Sequence, residues 1–296
     1  MKYRIISHVL PHEIDCFYWQ AKQLKMCNSY LDSSNEITLD VTLNMNLIDW
    51  DKSSIPFDFF VDKFKEIEKL SDWTHSNEFD VNVDKSCMGI NDKRRTSIRK
   101  STEDFIIYLD SDVIFNTEIL ANMINASNVV NDKYFIISPQ TVNMWDGSWD
   151  IITNKKYVEL IHSMESYFSI DAYKLSMVNH GDVSFEKINK FKFGGGWFNL
   201  ISTNILKLCD IPDSLGSYGV DDLYVMICCD IMKSNGYDIS QYVLKNSVVT
   251  ENNKYRELTY KKYLSVIDNQ SNYRTKAENN MNIELQNFYK KLTTQK

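Results

Sequence analysis

The sequence predicts an α/β protein with a mostly parallel sheet flanked by helices. Two observations lead to the sheet and its helical layers. Strand-like and helix-like segments alternate along the first part of the chain, which is typical of parallel sheets covered by helices. The segment 105–109, Phe-Ile-Ile-Tyr-Leu, is apolar throughout, as expected for a strand that is buried on both faces.

Each predicted element rests on its own apolar period, which is two residues in a strand and three or four in a helix. In chain order the predicted elements are strand 3–9, helix 14–24, strand 37–45, helix 57–67, strand 79–83, helix 91–101 and strand 105–109. Farther along, a helix is predicted after Gly219 and should stop at Asn235 and Gly236. One or two strands over 237–249 and a last helix around 285–292 complete the prediction.

Composition excludes several classes of protein. The chain has 296 residues and a formal charge of −7, which disfavours the broad basic face of a nucleic-acid binder. No apolar run approaches the roughly 18 residues of a membrane helix, and the first residues lack a signal-peptide core. The six cysteines form no C-x-x-C pair, which disfavours a zinc knuckle and predicts buried free thiols. We therefore expect a cytoplasmic protein without a membrane span.

The sharpest chemical signal is an Asp-x-Asp motif, Asp110-Ser111-Asp112, directly after the apolar segment 105–109. Two close carboxylates repel each other unless a cation lies between them. Carboxylate oxygens are hard ligands that suit Mg²⁺ or Mn²⁺, and such a cation usually bridges to substrate phosphates. The alternative is that the two aspartates cap the helix that begins near Glu118.

A second signal combines glycines, an aromatic residue and an acidic pair. The run Gly194–Trp197 is followed by Gly219-Val220-Asp221-Asp222, which opens a predicted helix. Glycine lets a ligand approach the backbone closely, and an indole can stack on a sugar. The helix dipole favours ionised carboxylates at the helix start, so Asp221 and Asp222 are expected to stay ionised. The alternative is that they only cap the helix.

Together these motifs make the sequence similar to the GT-A glycosyltransferases, especially the large inverting, family 2-like group that uses nucleotide sugars. The resemblance implies a GT-A-type, Rossmann-like fold with an acceptor-side C-terminal half. That group shows Gly, then Arg-Asn, a hydrophobic strand and Asp-x-Asp; here Gly89 and Arg94 precede the strand, and Arg95 stands where Asn is usual. The resemblance implies that Asp112 binds the metal directly and that Asp110 contacts the donor ribose or supports the metal. It also implies that Ser111 and Arg94 belong to the nucleotide site. The alternative is a solvated helix face made of Arg94, Arg95, Arg99 and Lys100.

The same resemblance assigns the remaining site residues. His8 and Asn46, at the ends of the first two strands, are expected on the donor side. Asp222, with Asp221 beside it, is expected to be the base that activates an acceptor hydroxyl, and the reaction to be inverting. The acceptor site is expected to contain Gly195, Gly196 and Trp197.

These assignments predict a transferase that uses a UDP-sugar donor, a glycan or other hydroxyl acceptor, and Mn²⁺ or Mg²⁺. Residues 1–140 would form the donor half, 141–260 the acceptor and catalytic half of the same domain, and 261–296 a helical extension. Two other functions stay open. One is a phosphatase of the haloacid-dehalogenase type with Asp110 as nucleophile; the other is an inactive module that binds a sugar or a nucleotide.

Overall fold

The computed structural model describes ten segments of the chain and five isolated positions between 58 and 66. The segments are 1–27, 34–44, 79–86, 89–115, 118–141, 150–152, 184–192, 198–216, 218–251 and 273–294. Within them the strands are β1 (Lys2–Val9), β2 (Glu36–Asn44), β3 (Phe79–Ser86), β4 (Phe105–Leu109), β5 (Val113–Ile114), β6 (Tyr134–Thr141), β7 (Ser184–Ile188), β8 (Phe198–Ser202) and β9 (Ile239–Glu251). The helices are α1 (Ile14–Cys27), α2 (Ile90–Lys100), α3 (Glu118–Val129), α4 (Thr203–Cys209), α5 (Asp221–Ser234) and α6 (Tyr273–Thr294).

These strands form one sheet in the order β3-β2-β1-β4-β8-β6-β9-β5, and β7 pairs with β9. Neighbours among β3, β2, β1 and β4 run parallel, as do β6 and β9. Strand β8 lies antiparallel between β4 and β6 and joins the two parts. The predicted α/β class with helices around a central sheet is therefore confirmed.

Helices cover both faces of the sheet because successive side chains of each strand point to opposite sides. On one side Ile5 and Ile107 belong to a core that includes the buried residues of α1 and α3. On the other side Ile6 and Ile106 belong to a second core, with residues of α4, α5 and α6. Strand β4 is buried along its whole length, so the residue that follows it emerges between the two layers.

The predicted elements match closely where the structure describes them. Strands β1 to β4 and helices α1, α2 and α5 lie within a few residues of their predicted bounds. Helix α5 ends at Ser234, and Gly236 follows with a φ of 83°. The prediction for 57–67 lies mostly outside the described residues. The described cysteines are buried free thiols: Cys16, Cys27, Cys209, Cys228 and Cys229.

None of the described helices is long and apolar enough to cross a membrane.

Candidate active site

The Asp-x-Asp motif lies where the central strand β4 ends. Asp110 follows Leu109 directly, and the Val113 amide donates to the Asp110 carbonyl at 3.2 Å, which closes a turn over the motif. Strand β5 comes next, and helix α3 does not begin until Glu118. Because a strand separates the aspartates from that helix, the alternative in which they cap α3 is wrong.

Helix α1 holds the turn from one side. The Gln20 side chain donates from Nε2 to the carbonyl oxygens of Asp110 and Val113, at 2.6 and 2.7 Å. The Ser111 hydroxyl donates to Glu13 Oε2 at 2.6 Å in a buried contact. Sequence reasoning missed Gln20 and Glu13. An acidic residue shortly after the first strand was the available signal for Glu13, whereas Gln20 has no signal beyond its place on the buried side of α1.

One guanidinium joins the two acidic motifs. Arg94 donates from Nη2 to Asp110 Oδ1 at 2.8 Å and from Nη1 to Asp221 Oδ2 at 2.7 Å. Its side chain is 5% exposed, and its Cζ lies 4.4 Å from the centroid of the Tyr108 ring. Both Nη atoms are thus engaged by protein carboxylates, an arrangement that favours a positioning role over the direct nucleotide contact predicted for Arg94.

Basic residues of α2 hold the segment that leads to Asp221. Arg95 donates from Nε to the carbonyl of Ile211 at 3.0 Å and from Nη2 to the carbonyls of Pro212 and Gly216. The alternative of a solvated basic face is therefore wrong for the buried Arg94 and Arg95. It is right only for the outer positions, of which Arg99 is 47% exposed in its ion pair with Asp210. Sequence patterns alone could not separate the buried from the exposed residues, because all four lie within two helical turns.

Helix α5 begins from a strained backbone. Gly219 has a φ of 80° and Val220 a φ of 56°, and the left-handed region is unfavourable for a β-branched residue. Strain of this kind is kept only where surrounding contacts impose it, commonly at functional sites. Val220 is the N-cap and makes no side-chain cap hydrogen bond, and Asp221 pairs with Arg94, so the alternative in which the acidic pair serves only as caps is wrong for Asp221. The turn places Asp221 inward at 3% exposure, and Asp222 is half-buried.

Burial and mutual repulsion shift the titration of these acids. Burial raises the pKa of Asp110 to about 6; Arg94 opposes the shift, and the nearby charges of Asp221, Asp222 and Glu13 add to it. Burial, with the charge of Asp221, also raises the pKa of Asp222. The helix dipole was expected to stabilise ionised Asp222, but desolvation outweighs it. Negative charge in this site exceeds what Arg94 neutralises.

This excess of carboxylate charge fits a divalent cation at the Asp-x-Asp turn. Asp110 and Asp112 offer hard oxygen ligands beside the end of β4. No cluster of three or more His, Cys, Asp or Glu side chains able to hold a metal is found within the described segments. Mg²⁺ commonly takes only one or two carboxylates and completes its shell with water and substrate phosphates, so two aspartates are a sufficient protein contribution.

One of the other predicted site residues lies in β1, and the rest lie outside the described segments. His8 is a buried residue of β1, and its Nε2 is 3.5 Å from Nδ2 of Asn44 at the end of β2. Asn46 lies outside the described residues, as do Gly195, Gly196 and Trp197. Their predicted roles stay predictions.

Comparison with known proteins gives matches only among solved structures. No protein-family model matches the chain, and no curated protein has a similar sequence. Residues 1–349 of TarS from S. aureus are 14% identical with a TM-score of 0.45, over 98% of this chain and 72% of that one. Glucosyl-3-phosphoglycerate synthase from Mycobacterium tuberculosis, in complex with phosphoglyceric acid, is also 14% identical with a TM-score of 0.46, over 90% of this chain and 77% of that one.

Proposed function

We propose that this protein is a glycosyltransferase that moves a sugar from a nucleoside-diphosphate sugar, UDP-linked in our assignment, to an acceptor hydroxyl. One observation carries the proposal. A carboxylate pair at the end of a central strand and an acidic pair at a helix start are held together by Arg94. One pair suits a metal diphosphate, and the other suits proton removal from an acceptor. Transfer of a sugar from a diphosphate needs both at adjacent positions.

The donor is assigned to the Asp-x-Asp side of the site. Asp112 would bind Mn²⁺ or Mg²⁺, Asp110 would contact the ribose or support the metal, and Ser111 would be fixed by Glu13. When bound, the cation neutralises the charge that develops on the leaving diphosphate, as a Lewis acid does. Gln20 keeps the turn in place through its two bonds to backbone carbonyls, so the carboxylates do not have to be ordered by the substrate.

The acceptor is assigned to the side of α5. Asp221 is paired with Arg94, so we assign the proton acceptor to Asp222, the half-buried member of the pair. Asp222 would take the proton of the acceptor hydroxyl while the hydroxyl oxygen attacks the anomeric carbon. A single attack opposite the leaving diphosphate inverts the anomeric centre. The raised pKa of Asp222, caused by burial and by the charge of Asp221, makes its carboxylate a stronger base than an ordinary aspartate.

Further residues extend the proposal on each side. We assign His8 and Asn46 to the donor nucleoside, and Gly195, Gly196 and Trp197 to the acceptor, with Trp197 stacked on a sugar ring. The donor half 1–140 and the acceptor half 141–260 are one domain in this proposal, since β4 of the first pairs with β8 of the second.

Calorimetry with UDP and UDP-sugars, with and without Mn²⁺, tests the proposal. UDP-GlcNAc and UDP-glucose are the first donors to try, because TarS and the mycobacterial synthase have been crystallised with them, the latter together with Mn²⁺. A ligand at 100 times its Kd adds about 2.7 kcal/mol to the stability of the folded state. We expect UDP to stabilise the protein in Mn²⁺ and much less in EDTA. Absence of stabilisation by any nucleoside diphosphate would refute the donor assignment.

Two assays separate the other functions. A phosphatase with Asp110 as nucleophile would be trapped by beryllofluoride, but Asp110 Oδ1 already accepts from Arg94. An inactive module would bind a UDP-sugar without releasing UDP in the presence of any acceptor. Trp197→Ala adds a check on the acceptor side, where we expect the KM of the acceptor to rise more than that of the donor.

A further inference from the structure

Arg94 lies between two carboxylates that belong to different parts of the chain. Asp110 is 16 residues away and directly follows β4, and Asp221 is 127 residues away and begins α5. Both bonds are short, and both Arg94 and Asp221 are almost fully buried, at 5% and 3% exposure. Tyr108 packs against the plane of the guanidinium, which fixes its orientation. The guanidinium therefore has one orientation in which both acids are satisfied.

Contacts from α2 help to define the start of α5. The N-cap of this helix, Val220, has a left-handed backbone and makes no side-chain cap hydrogen bond. Two side chains of α2 reach this turn: Asn91 donates to the carbonyl of Gly219 at 3.0 Å, and Arg94 binds Asp221. Helix α2 thus sets where the acidic pair lies relative to the end of β4.

We propose that Arg94 is a positioning residue, which sets the separation of the Asp-x-Asp turn and the acidic pair and, by holding Asp221, sets where Asp222 lies. The role of Asp222 rests on the proposed function, whereas the bridge, by which we mean the paired contacts of Arg94 with Asp110 and Asp221, does not. Only a planar guanidinium can donate to two carboxylates in fixed directions, whereas a lysine ammonium is a point charge on a flexible stem. Arg94→Lys keeps the charge and removes the geometry.

The catalytic test measures UDP release from UDP-glucose and UDP-GlcNAc in Mn²⁺. We expect Arg94→Lys to lower kcat by about tenfold to a hundredfold, since a shift of about 1 Å at a reacting group has that effect, and to leave the KM for the UDP-sugar within about threefold. Asp221→Asn should have the same effect, and the double variant should be no slower than either single one. Arg99→Lys, on the exposed side of α2, is the matched control and should keep its kcat. A large rise in KM with unchanged kcat would show that Arg94 contacts the donor and would overturn the proposal.

Urea unfolding of the wild type, the two single variants and the double variant tests the bridge independently of the proposed function. If Arg94 and Asp221 form one unit, the double variant loses less stability than the sum of the single variants. Additive losses would overturn the bridge whatever the enzyme does. Coupled unfolding in a protein that turns over no UDP-sugar would instead keep the bridge and refute the proposed function. Should Arg94→Lys not fold, the isosteric Asp221→Asn decides the question: an unchanged kcat would refute the positioning role.

Discussion

Substitution of the two adjacent aspartates of α5 should affect activity and stability to different extents: Asp222→Asn should lose more activity, and Asp221→Asn more stability. Asp221 is 3% exposed and paired with Arg94 at 2.7 Å, whereas Asp222 is half-buried and has a raised pKa. Asparagine has nearly the same shape as aspartate, so each substitution removes the charge and little else. Asp222→Asn should therefore lose the proton acceptor, and Asp221→Asn should weaken the buried ion pair.

The expected magnitudes differ because the two carboxylates have different surroundings. General-base catalysis contributes about 10² to 10⁴-fold, so Asp222→Asn should add about 2.7 to 5.4 kcal/mol to the barrier at 1.36 kcal/mol per decade. An acid whose pKa rises on folding destabilises the folded state at pH values above both pKa values, so removal of its charge should leave Tm equal or higher at pH 7. Breaking a buried ion pair costs about 3 to 5 kcal/mol. The loss of stability in Asp221→Asn should be near 3 kcal/mol, the lower end of this range, because Arg94 keeps its ion pair with Asp110.

Two measurements on each variant test this contrast: UDP release from a UDP-sugar with its acceptor, and thermal unfolding at pH 7. About 3 kcal/mol corresponds to a fall in Tm of roughly 6 to 12 °C for Asp221→Asn, at about 2 to 4 °C per kcal/mol. Asp230→Asn is the matched control for activity, an exposed acid on the same helix, and should keep its kcat. Near-normal transfer by Asp222→Asn, or a larger loss of kcat in Asp221→Asn, would refute the assignment of the base.

Three further substitutions probe the metal and the framework around the site. Asp112→Ala should abolish the Mn²⁺-dependent part of UDP binding with little change in Tm, and equal UDP affinity in calorimetry of both proteins would contradict this. Asp40 is buried and accepts hydrogen bonds from Lys93, from the Ser97 hydroxyl at 2.8 Å and from Arg4 at 3.1 Å. Asp40→Ala should therefore lower the free energy of unfolding in urea by about 3 to 5 kcal/mol. A loss below about 1 kcal/mol would be too small for a buried network and would contradict this. Burial would raise the pKa of Glu103, but hydrogen bonds from Arg4 and Ser101 outweigh it and lower this pKa to about 2. The stabilisation that ionised Glu103 gives to the folded state is therefore complete above the unfolded pKa near 4.3 and is lost as the pH falls through about 2. With allowance for solvent screening, Glu103→Gln should be about 1 to 2 kcal/mol less stable at pH 7 and equal to the wild type near pH 2; a difference independent of pH would contradict it.

Periodicity and short motifs were sufficient to predict the local features of this protein. The apolar run 105–109 predicted a buried strand, and β4 is buried at all of its positions. The strand also predicted where Asp110 emerges, because the carboxyl end of a central strand opens onto the edge of the sheet. Glycine and asparagine marked the end of α5, where a left-handed residue is needed and Gly236 provides it.

Contacts between residues far apart in the chain were decided only by the tertiary structure. Arg94, Arg95, Arg99 and Lys100 look alike in the sequence as a basic helical run, yet two are buried and two lie at the surface, because α2 packs between the sheet and the segment that leads to α5. The antiparallel direction of β8 was equally invisible, since a period of two residues is the same in both directions.

The sequence by itself determined that this chain has an α/β sheet with a carboxylate pair after a buried strand and an acidic pair before a helix. The tertiary structure alone decided that Arg94 joins the two pairs, that Asp221 faces inward, and that Glu13 and Gln20 hold the turn. The physical reason is that spacing in a sequence reports on neighbours within one element. Pairing and desolvation of charges depend on which elements the fold brings within a few ångströms of each other.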